Sequence, residues 1–372
     1  MKKAIVSVIN DLTTDQRVHR HCLCLADHDY QVQLVGRTLA NSQPVGERDY
    51  STFRFKLPFE TGPLFYASFN LRLFLHLLFS KADLLFSNDL DTLLPNYLVS
   101  KLKRVDLIYD SHELFSEVSE VQARPRVQGV WKWLEKTLMP RLSNMMTVNR
   151  SIADTYKKWY GVDMKVHRNL PMKKPDAIKT SRTDLDLPID KKIIVLQGAG
   201  INVDRGAEEA VLAMQFLNDH LLLIIGSGDV IDQLKEMVTE LNLADKVKIL
   251  GKKPYDEMMK YTACADLGLS LDKDTSLNYR FSLPNKLFDY IQVGTPVLVS
   301  NLPELAKVVT ENGVGELLES HDPKVLADQI ERMLSNEPKM DEYAQNCRKA
   351  GSELVWENER KVLDDMINEI DG

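Results

Sequence analysis

The chain predicts an α/β protein made of two doubly wound, Rossmann-like domains with parallel sheets. Three observations carry that expectation. Short, continuous apolar runs alternate with helical patterns along 372 residues. Strands apolar on both faces belong to parallel sheets covered by helices on each side. The alternation breaks once, at 171–190, where Pro171, Pro175 and Pro188 stand among charges without periodicity. Such a stretch reads as a linker. The length suits two domains, each able to bury its own core.

In the first domain, 1–170, strands are expected at 4–9, 32–35, 52–56, 84–87, 107–109 and 145–148. Helical patterns fall between them at 17–26, 64–80, 91–102 and 127–142. The second domain, 191–352, repeats the plan with strands at 193–196, 221–225, 247–250, 267–271 and 297–299, each followed by a helix. Segment 353–370 reads as one polar helix.

Hydrophobic residues at 44% and charged residues at 27% are globular composition. A formal net charge of −7 weighs against a nucleic-acid partner. Cys22, Cys24, Cys264 and Cys347 show no metal-ligand spacing. The first apolar run, 4–9, has the length of a strand and is too short for a secretory signal. Reduced thiols in a cytoplasm are expected. The longest apolar stretch, 64–79, contains Asn70, Arg72 and His76 and falls short of a bilayer span.

The richest stretch is LPNKLFDYIQVGTPVLVS, 283–300. Pro284 is expected in the first turn of a helix. Leu287, Tyr290, Ile291 and Val293 make its apolar stripe, Gly294 and Pro296 stop it, and 297–299 is a buried strand. Open amides at the helix start attract an anion, and Lys286 adds a full charge beside them. Asp289 follows one turn later on the same side. A cation for phosphate and a carboxylate for hydroxyls suit a nucleotide-sugar.

Further candidates lie where strands end. In QGAGINVDRG, 197–206, glycine allows close backbone approach to a pyrophosphate, and Arg205 can grip it with a planar fork; a plain strand-to-helix turn is the alternative. Gly226-Ser227-Gly228 is a weak signal alone. Asp110-Ser111-His112-Glu113 puts a titratable His at a strand end, while a Ser111 helix cap would be the structural reading. In NDLTTDQRV, 10–18, the residues alone allow Asp15 as an N-cap and Arg17 as a surface residue. Asn88, Asp89 and Asp91 follow the strand at 84–87, and Asp91 reads equally as an N-cap. Arg124, Arg126, Lys132, Lys136 and Arg141 surround Trp131 and Trp133 in a helix whose core stripe is Val127, Trp131, Leu134 and Leu138. Its basic face could touch anionic lipid.

Asp289, Gly294, Pro296 and Val297 resemble the donor-binding signature of retaining glycosyltransferases of family 4, with Asp for the usual Glu. The resemblance is to the branch whose pattern runs P-N-K-L-F-E-Y; the acid expected eight residues before Asp289 is here Phe281. It implies the GT-B fold, with the two sheets facing a central cleft and the C-terminal segment, 353–372, crossing back to the first domain. It implies donor contacts from Gly198, Arg205, Gly206, Gly226, Pro284, Asn285, Lys286 and Asp289. His112, with Asp110 and Glu113, would act on the transferred sugar, and Asp15, Arg17, Asn88 and Asp89 would lie on the acceptor side. The implied reaction moves a sugar from a nucleotide-diphosphate sugar, as co-substrate, to a glycan or lipid-linked acceptor. It proceeds with retention, without a metal or other cofactor, in cell-surface polysaccharide biosynthesis. The implied place is the cytoplasm, with peripheral contact at the inner leaflet. A nucleotide-sugar epimerase of the same fold and a non-catalytic nucleotide-sugar sensor are the alternatives.

Overall fold

The computed structural model describes residues 1–13, 15–173 and 178–372. Thr14 of the first loop and Pro175 of the proline-bearing segment lie outside the described residues. The chain divides into two compact units, Met1–Asn169 with Glu359–Gly372, and Leu170–Asn358.

Unit 1 runs β1 (Lys2–Ser7), α1 (Gln16–Asp27), β2 (Tyr30–Thr38), β3 (Ser51–Lys56), α2 (Gly62–Phe79), β4 (Leu84–Asn88), α3 (Leu90–Lys103), β5 (Asp106–Ser111), α4 (Ser119–Gln122), α5 (Pro125–Leu138), β6 (Asn144–Thr147), α6 (Arg150–Tyr160) and β7 (Lys165–Val166). The sheet order is β3-β2-β1-β4-β5-β6-β7, every pair parallel. The chain winds outward both ways from β1 and β4. In an open parallel sheet the carboxyl ends at that switch point form a crevice. β4 is buried along its whole length, which explains its unbroken apolar run.

Unit 2 runs β8 (Lys192–Gly198), α7 (Ala207–Ala213), β9 (His220–Gly226), α8 (Ile231–Glu240), β10 (Val247–Gly251), α9 (Tyr255–Ala263), β11 (Leu267–Ser270), α10 (Leu277–Arg280), α11 (Asn285–Val293), β12 (Val297–Val299), α12 (Pro303–Asn312), β13 (Gly315–Leu317), α13 (Pro323–Ser335) and α14 (Glu337–Glu353). Its parallel order is β10-β9-β8-β11-β12-β13, with the switch point between β8 and β11. Gly268 lets α11 dock. A Cβ there would sit 2.5 Å from the Tyr290 ring, and the Tyr290 hydroxyl bonds Val195 and Leu269 carbonyls.

Two expectations are corrected. The segment after Leu170 is not a free linker throughout. Leu170 and Leu187 are buried in the unit 2 core, and Arg182 Nη2 donates to Asp266 at 2.7 Å. The polar C-terminal segment is not one helix either. α14 ends at Glu353, and α15 (Trp356–Glu359) and α16 (Lys361–Asp371) follow. Burial of Val355 and Trp356, and donation from the Trp356 N–H to the Pro171 carbonyl, take the chain out of helical register. In unit 1, α16 packs on α1 through Leu363, Met366 and Ile367.

Candidate active site

The unit 2 candidates gather at the switch point. β8 and β9 pair in register to their last residues, Gly198 opposite Gly226. A Cβ on Gly226 would lie 1.7 Å from the Gly198 carbonyl oxygen, so glycine is required for the strands to close there. Gly206 takes φ +76° ahead of α7, where a Cβ would meet that of Leu271 at 2.3 Å. That close approach brings Arg205 beside the end of β11. Arg205 Nη1 donates to Asp272 Oδ1 at 3.0 Å, and its guanidinium lies 4.8 Å from the Tyr279 ring centroid. Asp272 is fully buried, two residues past β11.

Pro284 is the residue before α11, with extended ψ of 143°, and Asn285 is the first helical residue. This corrects the expected first-turn place of Pro284: it sets the entry angle and leaves the open amides to the residues after it. Lys286 is buried, and among the described residues its ammonium has no hydrogen-bond partner. Burial lowers its pKa; Asp272 opposes that shift and Arg205 adds to it. Two cations therefore face one carboxylate, an excess of positive charge in a partly desolvated place. Asp289 is held apart from this group. Tyr255 Oη donates to its Oδ1 at 2.7 Å, and Gln197 Nε2 to its Oδ2 at 3.3 Å.

In unit 1 the switch-point residues form a buried network of charges. Asp110, at the end of β5, accepts two 2.7 Å bonds from Arg17 Nε and Nη2. Its Oδ2 also meets His112 Nε2 at 2.9 Å. The other ring nitrogen, His112 Nδ1, lies 3.0 Å from Asp89 Oδ2, and Asp89 Oδ1 accepts the His112 backbone N–H at 2.9 Å. Burial opposes charge on His112, but the two carboxylates outweigh it and hold the pKa well above the usual range. Burial likewise opposes charge on Asp110, and Arg17 and His112 outweigh it, so its pKa lies well below normal. The ring is thus an imidazolium with each N–H aimed at a carboxylate. Asp89 adopts φ +60°, a strained conformation for a non-glycine residue that the two contacts to His112 hold in place.

Several expected roles change. Arg17 is buried at 3% exposure and is no surface residue; it fixes Asp110. Asp15 is the N-cap of α1, with Oδ1 taken by the Val18 N–H and Oδ2 by Asn10 Nδ2. Asn88 is fully buried and donates to the Ser7 carbonyl, so it lines no acceptor surface. Asp91 is no cap, because α3 begins at Leu90; it is buried, and among the described residues its Oδ1 lacks a partner. Burial first, then Asp89, raises its pKa well above normal. Ser111 does not cap a helix but donates to the Glu113 carbonyl. Glu113 is half-buried, and its carbonyl also accepts from Tyr156 Oη at 3.2 Å.

Residues 178–352 match the family described as glycosyl transferases group 1, and residues 15–168 match glycosyltransferase family 4. The chain belongs to the group 1 glycosyltransferases. A curated relative, the D-inositol 3-phosphate glycosyltransferase of Corynebacterium urealyticum, is 24% identical over 52% of this chain and 47% of its own. The chain spans 28%, 47% and 32% of the lengths of three curated relatives it matches. Among solved structures, sucrose-phosphate synthase of Thermosynechococcus elongatus superposes with TM-score 0.79, at 17% identity, covering 100% of this chain and 99% of that one. Anabaena Alr3699/HepE, solved with UDP-glucose, gives TM-score 0.73 at 14% identity, with full coverage of both chains. The fold shared by this group 1 member and those neighbours is GT-B.

Asp272, Gln197 and Tyr255 join the site without having been expected. Asp272 carried a signal, an acid just beyond a buried strand; the other two depend on contacts between distant segments. Away from the site, Cys24, His28 and Asp364 bring ligand atoms within 4.8 Å of one another. There Arg360 already supplies the cation, bonding Asp364 Oδ2 at 3.1 Å and lying 3.8 Å from Cys24 Sγ.

Proposed function

We propose that this chain is a retaining glycosyltransferase that takes its sugar from a nucleotide-diphosphate sugar. The observation that carries the reading is the buried, unpartnered Lys286 beside the Arg205–Asp272 pair, at the carboxyl ends of β8 and β11. Such an excess of desolvated positive charge favours a dianionic leaving group and stabilises the charge that develops on it as the glycosidic bond breaks. Arg205 and Lys286 can supply that stabilisation without a metal. Asp289 is assigned to donor hydroxyls. In unit 1, His112 is assigned to the transferred sugar as a fixed positive charge. With both ring nitrogens committed to carboxylates, it has no proton free to shuttle. The acceptor is then deprotonated by the leaving phosphate, on the same face that the donor leaves.

The reading includes a glycan or lipid-linked acceptor, cell-surface polysaccharide biosynthesis and work in the cytoplasm in peripheral contact with the inner leaflet. Family membership and the basic exposed face of α5 support it. Among the described residues, no helix is long and apolar enough to cross a membrane. An epimerase needs a free acid and a free base around the sugar, and the committed ring of His112 weighs against it.

The test is a thermal-shift panel of nucleotide-diphosphate sugars on the parent chain, followed by NMR of the product anomer with the stabilising donor. Stabilisation by one donor class and a product of unchanged anomeric configuration is expected. An inverted product removes the retaining assignment. No response to any donor removes the function.

A further inference from the structure

α2 is apolar on both of its sides. Phe65, Phe69, Leu73 and Leu77 are buried against unit 1. On the opposite side Leu64, Leu71, Leu75 and Phe79 are 60%, 60%, 43% and 82% exposed. A helix hydrophobic all round belongs in a core or against lipid, and this one has solvent on half its circumference over four turns. The helices packed beside it expose apolar side chains too. α3 packs on α2, with Lys103 Nζ donating to the Leu77 carbonyl at 2.7 Å, and exposes Leu98 and Leu102. α5 packs on α3 and sets Trp131 edge-on to Tyr66, with ring centroids 5.2 Å apart. It exposes Val130 and, at 62%, Trp133.

The exposed charges of α2 and α3 have one sign. Between Glu60 and Asp83 the only charged residues are Arg72 and Lys81, and between Asp91 and Asp106 they are Lys101, Lys103 and Arg104. Arg124 and Arg126 lie exposed at the start of α5. An apolar stripe collared by cations, with an indole at its edge, has the chemistry of the interface of an anionic bilayer. A second copy of this chain would bring the same cations face to face. α2 is about 27 Å long at 1.5 Å per residue, so it can lie flat across lipid headgroups along its whole length.

We propose that the α2–α3–α5 face of unit 1 is a docking surface for an anionic membrane, with the outer side of α2 inserted among the lipids. This rests on the peripheral-contact part of the proposed function and names its surface and its lipid chemistry.

The experiment is flotation of the full chain with vesicles of phosphatidylcholine alone and of phosphatidylcholine mixed equally with phosphatidylglycerol. The variants are L71S/L75S/F79S and R72E/K101E/R104E, all at exposed positions. The parent should float with the anionic vesicles, and less so as salt rises, since exposed charges are screened. Each variant should lose binding by ~10-fold or more, because the inserted area and the basic charges both contribute. Binding of UDP, measured by calorimetry on the same preparations, should stay unchanged in both variants, so a failure of the donor site is read separately. Three results would overturn the proposal: a parent that stays in solution, equal binding to neutral and anionic vesicles, or parent dimers by light scattering that the serine variant dissolves.

Discussion

Replacing Arg17 with Met removes the partner of a fully buried carboxylate. Arg17 gives Asp110 two bonds of 2.7 Å, and both side chains are almost wholly out of water. In Arg17→Met, Asp110 keeps His112 Nε2 at 2.9 Å but loses the stronger cation. Breaking a buried pair in this way costs ~3–5 kcal/mol, because the remaining charge stays desolvated. For a unit of this size, ~1 kcal/mol corresponds to roughly 2–4 °C in Tm, so a drop on the order of 6–20 °C is expected. Arg17→Lys keeps the charge and loses the planar fork, and should fall between. The assay is urea and thermal unfolding of the full chain, followed by circular dichroism. Coupling is tested by adding Asp110→Asn: once the carboxylate is gone, Arg17→Met should cost much less than in the parent. A drop below ~1 kcal/mol, the size expected of an exposed pair, would refute the buried network. So would simple additivity in the double variant.

The same network sets a pH dependence. Asp110, whose folded pKa is depressed, contributes stability above its unfolded value that is lost as pH falls through the folded one. His112, whose folded pKa is raised, contributes stability fully present below about 6.5 and lost as pH climbs through its folded value. Unfolding scans should show unit 1 weakening at both ends, and His112→Ala should abolish the alkaline decline. Lys286→Met should leave Tm unchanged or higher while UDP affinity falls by roughly 10–100-fold, the worth of one charge-assisted contact; loss of both together would make Lys286 structural. Asp289→Asn should weaken UDP by ~1.5–3 kcal/mol and leave a 2′,3′-dideoxy analogue unaffected. Gly226→Ala must open a 1.7 Å clash with the Gly198 carbonyl, and should yield little folded chain by circular dichroism.

The fold was legible because parallel strands buried on both faces leave unbroken apolar runs, as at 84–86 and 221–225. What escaped were short edge elements such as Lys165–Val166 and Gly315–Leu317, too brief to carry a period, and the break after Glu353, set by the packing of Trp356. That Lys286 and Asp289 share one helix with its glycine stop was readable from a single stretch. The unit 1 site was not. Arg17 and Asp110 are 93 positions apart, and no local pattern says that a helix-start Arg turns inward or that a strand-end His is clasped from both sides. Asp15, which left a contact and an N-cap both open, and Asn88, expected on the acceptor side, show that polar residues at strand ends serve caps and backbone satisfaction as readily as substrates.

The central claim is that Arg205 and Lys286 form a diphosphate site. It is tested most directly by calorimetric titration of UDP, GDP and uridine into the parent chain and into Arg205→Ala/Lys286→Ala. The account predicts that the parent binds one of the diphosphates far more tightly than uridine, and that the double variant brings it down to the uridine level. A parent that binds neither diphosphate, or a double variant that binds as the parent does, would contradict it.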